Sequence, residues 1–233
     1  MPRTRSADMF PKLVSAAAET FIAQGFQRTQ MQDVADALGV AKGTVYGYVE
    51  NKDALLGAAL RFADGVEPLP EVADLPVRAP AEGELAAMVA ERLRGEVEQL
   101  RLVEALSTRR HGPLAVELGE IITNLYDTLS RHRVSIKLVD RCAPELPELA
   151  DVWFGQGRSG LVVVLTEYLQ RRRALRLPGP APLVARTILE TCVLWAVHLH
   201  WDPARPEPQD TAAVPSTLAG LLTRGLLPEG SST

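Results

Sequence analysis

Lys42, Gly43, Thr44, Tyr46 and Tyr48 put an ammonium group, a bare backbone, a hydroxyl and two phenols into one short run of the chain. On the outward side of a short helix, such groups suit phosphate contact and the reading of base edges in a major groove. Gly43 would let the backbone itself come close to a polyanion. A short helix cannot dock alone, so the segments around it must position it.

Residues 29 to 55 read TQMQDVADALGVAKGTVYGYVENKDAL, two short helical patterns joined by a tight glycine turn. That is the arrangement of a helix-turn-helix. In the first, Met31, Val34, Ala35 and Leu38 recur at i, i+3, i+4 and i+7, giving one apolar face. Gly39 follows where a helix C-cap wants positive φ, and Val40 supplies a small apolar plug. The second is expected to run from Lys42 to Val49. A preceding helix, about Asp8 to Gln24, buries Phe10, Leu13, Val14, Ala17 and Phe21, with Pro11 tolerated in its first turn. A fourth helix opens after Asn51, a cap residue, and reaches about Asp64.

These residues resemble the TetR family of bacterial repressors. The likeness runs through Ala17-Ala18-Glu19-Thr20-Phe21, Gly25-Phe26, Thr29, Val34-Ala35, Leu38-Gly39-Val40, Lys42-Gly43-Thr44-Val45-Tyr46 and Lys52-Asp53-Ala54-Leu55, in order and with matching spacing. It implies that Thr29 and Gln30 hold the start of the second helix on a phosphate. It also implies that Gln32 projects near the recognition helix and that Lys52 anchors a phosphate. Departures are Ala41, where a capping Ser is usual, Gly47, where a large side chain is usual, and Val49, where an aromatic closes the usual pattern. Fewer side-chain base contacts follow.

Net charge is −4, yet it is unevenly placed. Residues 1–61 hold seven Lys and Arg (Arg3, Arg5, Lys12, Arg28, Lys42, Lys52, Arg61) against six Asp and Glu, so the negative balance lies beyond them. Binding to nucleic acid must then rest on a few well-placed cations and helix N-termini, doubled by a dimer. Arg3 and Arg5 can add a backbone or minor-groove contact; a solvated tail explains them as well. The chain holds 46% hydrophobic and 23% charged residues, a globular balance with room for a proper core. No run of about eighteen apolar residues occurs and the N-terminus lacks an apolar signal region, so the expectation is a cytoplasmic protein without membrane contact. Cys142 and Cys192, far apart and outside any CxxC pattern, read as buried thiols.

Residues 65–83 carry Pro68, Pro70, Pro76 and Pro80 and read as a linker between a head, 1–64, and a body, 84–233. The body reads as helices over Glu84–Thr108, Leu114–His132, Val134–Cys142, Pro147–Arg173, Leu183–His200 and Val214–Leu226. The fold class expected is all-α: a three-helix helix-turn-helix head and a C-terminal helical bundle for ligand binding and dimerisation. Family layout makes the last two helices the dimer interface, here Val184, Ile188, Cys192, Trp195 and Leu199 on one and Leu218, Leu221 and Leu222 on the other. Packing on their own core is the alternative.

Gly155-Gln156-Gly157-Arg158-Ser159-Gly160 fits the dinucleotide string GxGxxG but lacks the strand that the mechanism needs. It reads as a close helix approach or a kink beside a pocket. His111, His132, His198 and His200 show no metal-ligand spacing, so no metal is expected. Glu117/Glu120 and Arg171-Arg172-Arg173 read as solvated helix faces. No nucleophile, P-loop or zinc motif supports an enzyme, and no cofactor is implied. Tyr126, Trp153, Phe154, Arg158, Trp195 and His198 stand among apolar stripes and are the residues that would line a ligand pocket.

The sequence thus points to a homodimeric, ligand-responsive regulator, a repressor that a small-molecule effector releases from a palindromic DNA operator. Two rivals remain: a regulator of the same architecture governed by a protein partner, and an α-helical small-molecule-binding protein or enzyme whose helix-turn-helix is a remnant.

Overall fold

The computed structural model describes residues 6, 8–109, 112–205, 207 and 211–228; Arg3, Arg5, Arg110 and His111 lie outside them. Its elements are α1 (Met9–Gln24), α2 (Met31–Leu38), α3 (Lys42–Val45), α4 (Lys52–Phe62), α5 (Glu84–Glu98), α6 (Arg101–Ser107), α7 (Leu114–Arg131), α8 (Arg133–Cys142), α9 (Pro147–Ala150), α10 (Ser159–Arg171), α11 (Ala181–Ala196) and α12 (Val214–Leu226). Among the described residues the only β pairing is a single parallel bridge, Val49 to Val77. The all-α expectation holds.

The chain forms two compact units, and they do not follow its linear order. The first comprises Met1–Ala90 and His132–Trp153, the second Glu91–Arg131 and Phe154–Thr233. The head therefore keeps α8 in its own unit, a division different from the linear scheme of head, linker and body.

In the first unit α1 packs on α2, α4 and α8. Its stripe Phe10, Leu13, Val14, Ala17, Phe21 is buried as its period requires, against Leu55, Leu56, Ala59 and Leu60 of α4 and Leu138 and Val139 of α8. Phe10 meets Phe62 edge-on and Phe21 stacks on Phe26. Gly39 closes α2 at φ +65°, as expected, and Asn51 caps α4 by accepting the Ala54 N–H at 2.9 Å.

The supposed linker is built into this unit. Val72–Asp74 forms a 3-10 turn, Leu75 is buried, and Val77 pairs with the chain after α3. That pairing also corrects the third helix. It ends at Val45, because residues 48–50 turn away to hydrogen-bond Val77.

The second unit packs α7 against α11 and α12, and α10 against α6 and α11. Its core is Leu118, Ile121, Ile122 and Leu125 of α7, Leu165 and Leu169 of α10, Val184, Ile188, Leu189 and Cys192 of α11, and Leu218 and Leu226 of α12. The expected Glu84–Thr108 helix is two helices. Leu100 is extended (ψ 138°) and buried, and the Asn124 side chain, from α7, accepts the Arg101 N–H at 2.9 Å to cap α6.

From Pro147 to Arg171 the chain stays helical, but Asp151–Arg158 is a π-helix. The glycine string lies here after helix α9, not after a strand, so it is no dinucleotide loop.

Ala181–Trp201 alone among the described residues is long and apolar enough to cross a membrane by length and composition; its apolar stripe is instead core of the second unit.

Candidate nucleic-acid interface

The candidate surface is α2, the turn and α3, with the rest of the first unit behind it. Met31, Val34 and Ala35 of α2 and Val45 of α3 are buried, so each helix is fixed by one side and open on the other. On the open side are Gln30, Gln32, Lys42, Gly43 and Tyr46, with Thr44 half-buried. Tyr46 is 43% exposed, and the Lys42 ammonium stands 6.0 Å from its ring centroid. α3 has no side-chain cap, consistent with Ala41; the Thr44 N–H bonds the Ala41 carbonyl at 2.8 Å. The Asp33 carboxylate accepts the Gln30 N–H at 2.8 Å, and the Gln32 amide donates to Asp36 at 2.7 Å.

Three of the expected contact residues are placed differently. Thr29 is buried and its hydroxyl donates to the Gly25 carbonyl at 2.7 Å, so it shapes the turn instead of facing outward. Tyr48 is buried too. The Ser6 N–H donates to its hydroxyl at 2.9 Å, and its backbone carbonyl is held by Val77. Lys52 directs its ammonium to the carbonyls of Phe26 (3.0 Å) and Gln27 (3.4 Å), over the Phe26 ring. Its first task is to tie α4 to the α1–α2 turn.

The sequence also hid what grips that turn from behind. The Arg141 guanidinium donates to the Gln24 carbonyl at 2.8 Å, and Glu145 accepts the Gln27 N–H at 2.6 Å. At the other end of α8, the Asp64 carboxylate accepts the Val134 and Ser135 N–H groups at 2.8 and 3.1 Å. A carboxylate on a helix N-terminus satisfies orphan donors and complements the dipole. α8 is thus bonded to the end of α1 and to the residues following α4. No periodicity marks such long-range pairs.

The residues expected to line a ligand pocket fall in both units. Trp153 belongs to the first unit and donates its indole N–H to Asp140 at 3.1 Å. Arg158, in the second, is ion-paired with Glu190 of α11. Tyr126 is buried, Trp195 and His198 are half-buried, and Phe154 is exposed.

The dimer stripe is corrected as well. Val184, Ile188, Cys192 and Leu218 are 8%, 1%, 0% and 5% exposed, so they fill their own unit's core. Trp195, Leu199 and Leu222 are half-buried, and of the expected set only Leu221 is open, at 65%. The outward apolar residues of α11 are Leu183 and Leu194. Burial raises both thiols, Cys142 and Cys192, to a pKa of about 12. Among the described residues no group of three or more His, Cys, Asp or Glu gathers as a metal site.

A pair of short helices joined by the Gly39 turn, buried behind and open in front, is a helix-turn-helix. Residues 13–59 match the family described as bacterial regulatory proteins, tetR family. A fatty acid metabolism regulator protein of Bacillus subtilis (strain 168) is 27% identical over 126 residues, 52% of this chain and 63% of that relative's length. The fold matches the ketosteroid transcriptional regulator KstR2 of Mycobacterium tuberculosis at 17% identity and a TM-score of 0.57, over 97% of this chain and 98% of that one. It matches a TetR-family regulator from Streptomyces coelicolor A3 at 17% identity and a TM-score of 0.59, over 98% and 94%.

Proposed function

We propose that the protein is a homodimeric transcriptional repressor of the cytoplasm. Residues 1–64 bind a palindromic DNA operator, and a small molecule taken up by residues 84–233 releases it. The observation that carries the reading is the open face of α2 and α3, with Gln30, Gln32, Lys42, Gly43, Thr44 and Tyr46 set on a buried scaffold. Two such faces in a dimer must lie about 34–36 Å apart, or a multiple, to meet successive major grooves. Lys42 supplies a phosphate contact beside the base edges that Tyr46 and Thr44 approach. Thr29, Tyr48 and Lys52 hold the reading elements in place.

Release follows from α8. An effector that favours a different setting of α8 pulls on Gln24 and Gln27 through Arg141 and Glu145, and on Asp64. It lowers DNA affinity by its differential affinity for the two settings. The likeness to a fatty acid metabolism regulator supports a fatty acid or a derivative of one as effector. The outward Leu183, Leu194 and Leu221 form the dimer face, in place of the inward stripe.

The test is selection of bound duplexes from genomic fragments at low salt. Enrichment of a few palindromic sites, lost or weakened with Lys42→Ala and released by an acyl compound, supports the reading. A folded dimer that enriches nothing sinks it.

A further inference from the structure

Residues 75–79, Leu-Pro-Val-Arg-Ala, form a strap along the chain that follows the recognition helix. The Val77 N–H donates to the Tyr48 carbonyl at 2.8 Å, and the Glu50 N–H donates to the Val77 carbonyl at 3.0 Å. The Ala79 N–H donates to the Glu50 carboxylate at 2.8 Å. Leu75, 5% exposed, seats one end in the core. A free tether would have no such ladder.

Side chains alternate along extended chain. Leu75 and Val77 turn toward the unit, and Arg78, between the two tied residues Val77 and Ala79, is exposed. Paired strands lie roughly 5 Å apart, so the Arg78 backbone runs beside residues 48–50, directly after Tyr46.

Three other cations of this unit are engaged. Arg61 pairs with Glu67 at 3.0 Å, Arg141 is bonded to Glu145 and Gln24, and Lys52 to Phe26 and Gln27. Among the described residues no hydrogen bond or ion pair takes up the Arg78 guanidinium. An unpaired exposed arginine adds little to stability, whereas its planar fork matches a phosphate. In a chain of net charge −4 each placed cation carries weight.

We propose that the strap is a third DNA-facing element of the head and that Arg78 binds an operator phosphate flanking the bases read by α3. This rests on the DNA-binding reading above, and the test separates the two. A duplex selected from a random pool by the full-length wild-type protein serves as probe, and its affinity is followed against salt. Each lost phosphate contact lowers the slope of log K against log salt by about 0.9, so Arg78→Ala should lower a dimer's slope by about 1.8. The loss should be the same for every sequence bound, and Arg78→Lys should restore most of it. Arg61→Ala, which removes an engaged cation of the same unit, should leave the slope in place. Val77→Pro deletes the donor to Tyr48, and Arg78→Ala made in that background should cost no further slope. Circular dichroism melts establish that each variant folds.

An unchanged slope in Arg78→Ala overturns the proposal, as does an equal fall in Arg61→Ala. An undiminished Arg78→Ala effect in the Val77→Pro background overturns the strap's part in it. A wild-type protein that selects no duplex overturns the DNA-binding reading itself.

Discussion

Replacing Gly25 by Ala should be far more damaging than replacing Gly39 by Ala, although both glycines hold positive φ. Gly25 sits at φ +86°, ψ 172°, a region that is essentially glycine's alone and costs another residue about 1–3 kcal/mol. Gly39, at φ +65°, ψ 32°, is ordinary left-handed backbone, and a Cβ there meets nothing within 4 Å. Its replacement should cost about 1 kcal/mol. At Gly25 a Cβ would lie 2.7 and 2.8 Å from the two terminal nitrogens of Arg141 and closer still to Glu145. Those side-chain ends can yield, but only by giving up the Gln24 carbonyl and the Gln27 N–H. Charge-assisted bonds contribute about 1.5–3 kcal/mol each when shielded, and roughly half that at this half-exposed site. With the backbone term the total is about 4 kcal/mol. At about 2–4 °C per kcal/mol for a chain of this size, the melting temperature should fall by about 12 °C for Gly25→Ala and about 3 °C for Gly39→Ala. Urea titration gives the free energies, and hydrogen exchange at the Gln27 amide reports the local event. In Glu145→Ala, where one obstacle is already gone, the added cost of Gly25→Ala should shrink toward the backbone term. If Gly25→Ala costs no more than Gly39→Ala, α8 does not hold the turn, and the release mechanism loses its lever.

Glu117→Gln should destabilise the second unit by about 3 kcal/mol in urea, because it strands Arg172, only 13% exposed in its side chain, and unsettles the Tyr168 hydroxyl that donates to Glu117 at 2.8 Å. A double change of Glu117 and Arg172 to Met should recover most of that, and failure to recover would count against the ion pair as the cause. Cys142 and Cys192 have folded pKa values raised from 9.0 to about 12, so their contribution to stability is complete below pH 9 and is lost as pH rises toward 12. The slope is about 1.4 kcal/mol per pH unit per thiol; a Cys142→Ala/Cys192→Ala variant should flatten that alkaline limb, and an unaltered limb would refute the assignment. Leu183→Glu with Leu221→Glu should turn a dimer into a folded monomer by light scattering, while Ile188→Ala should instead weaken the protomer by about 2–5 kcal/mol; dimers that survive the double change would place the interface elsewhere.

What the sequence disclosed was local. The stripe of α1, the Gly39 turn, the Asn51 cap and the extent of α12 are all set by a residue's near neighbours, and all are where the pattern put them. The misplacements come from partners distant in sequence. α3 stops early because Val77 captures Tyr48 and Glu50, and the α5–α6 break is capped by Asn124. Glu117 and Arg172, read as solvated, lie 15% and 13% exposed because they meet across α7 and the end of α10. The apolar period of α11 marked a face without saying whether the protomer or a second copy covers it. At the candidate surface, the residue types named Lys42 and Tyr46 correctly as outward, but they gave no hint that Thr29 and Tyr48 point inward or that Asp64, Arg141 and Glu145 brace the turn.

The discontinuity of the first unit bears on how the chain is made. A ribosome that has released residue 90 has delivered α1 to α4 but not the segment that holds them, which is complete only at Trp153. At about 5–20 residues per second this leaves an interval of roughly 3–13 s in which the nascent head has no α8. During that time Leu55, Leu56 and Phe21 lack part of their cover, and the turn at Gly25 lacks its brace. The head is accordingly not a cassette that can be cut at the linker and grafted onto another body. A fragment ending at residue 90 should expose apolar surface and aggregate, while one joining residues 1–90 to 132–153 by a short flexible bridge has the parts to fold.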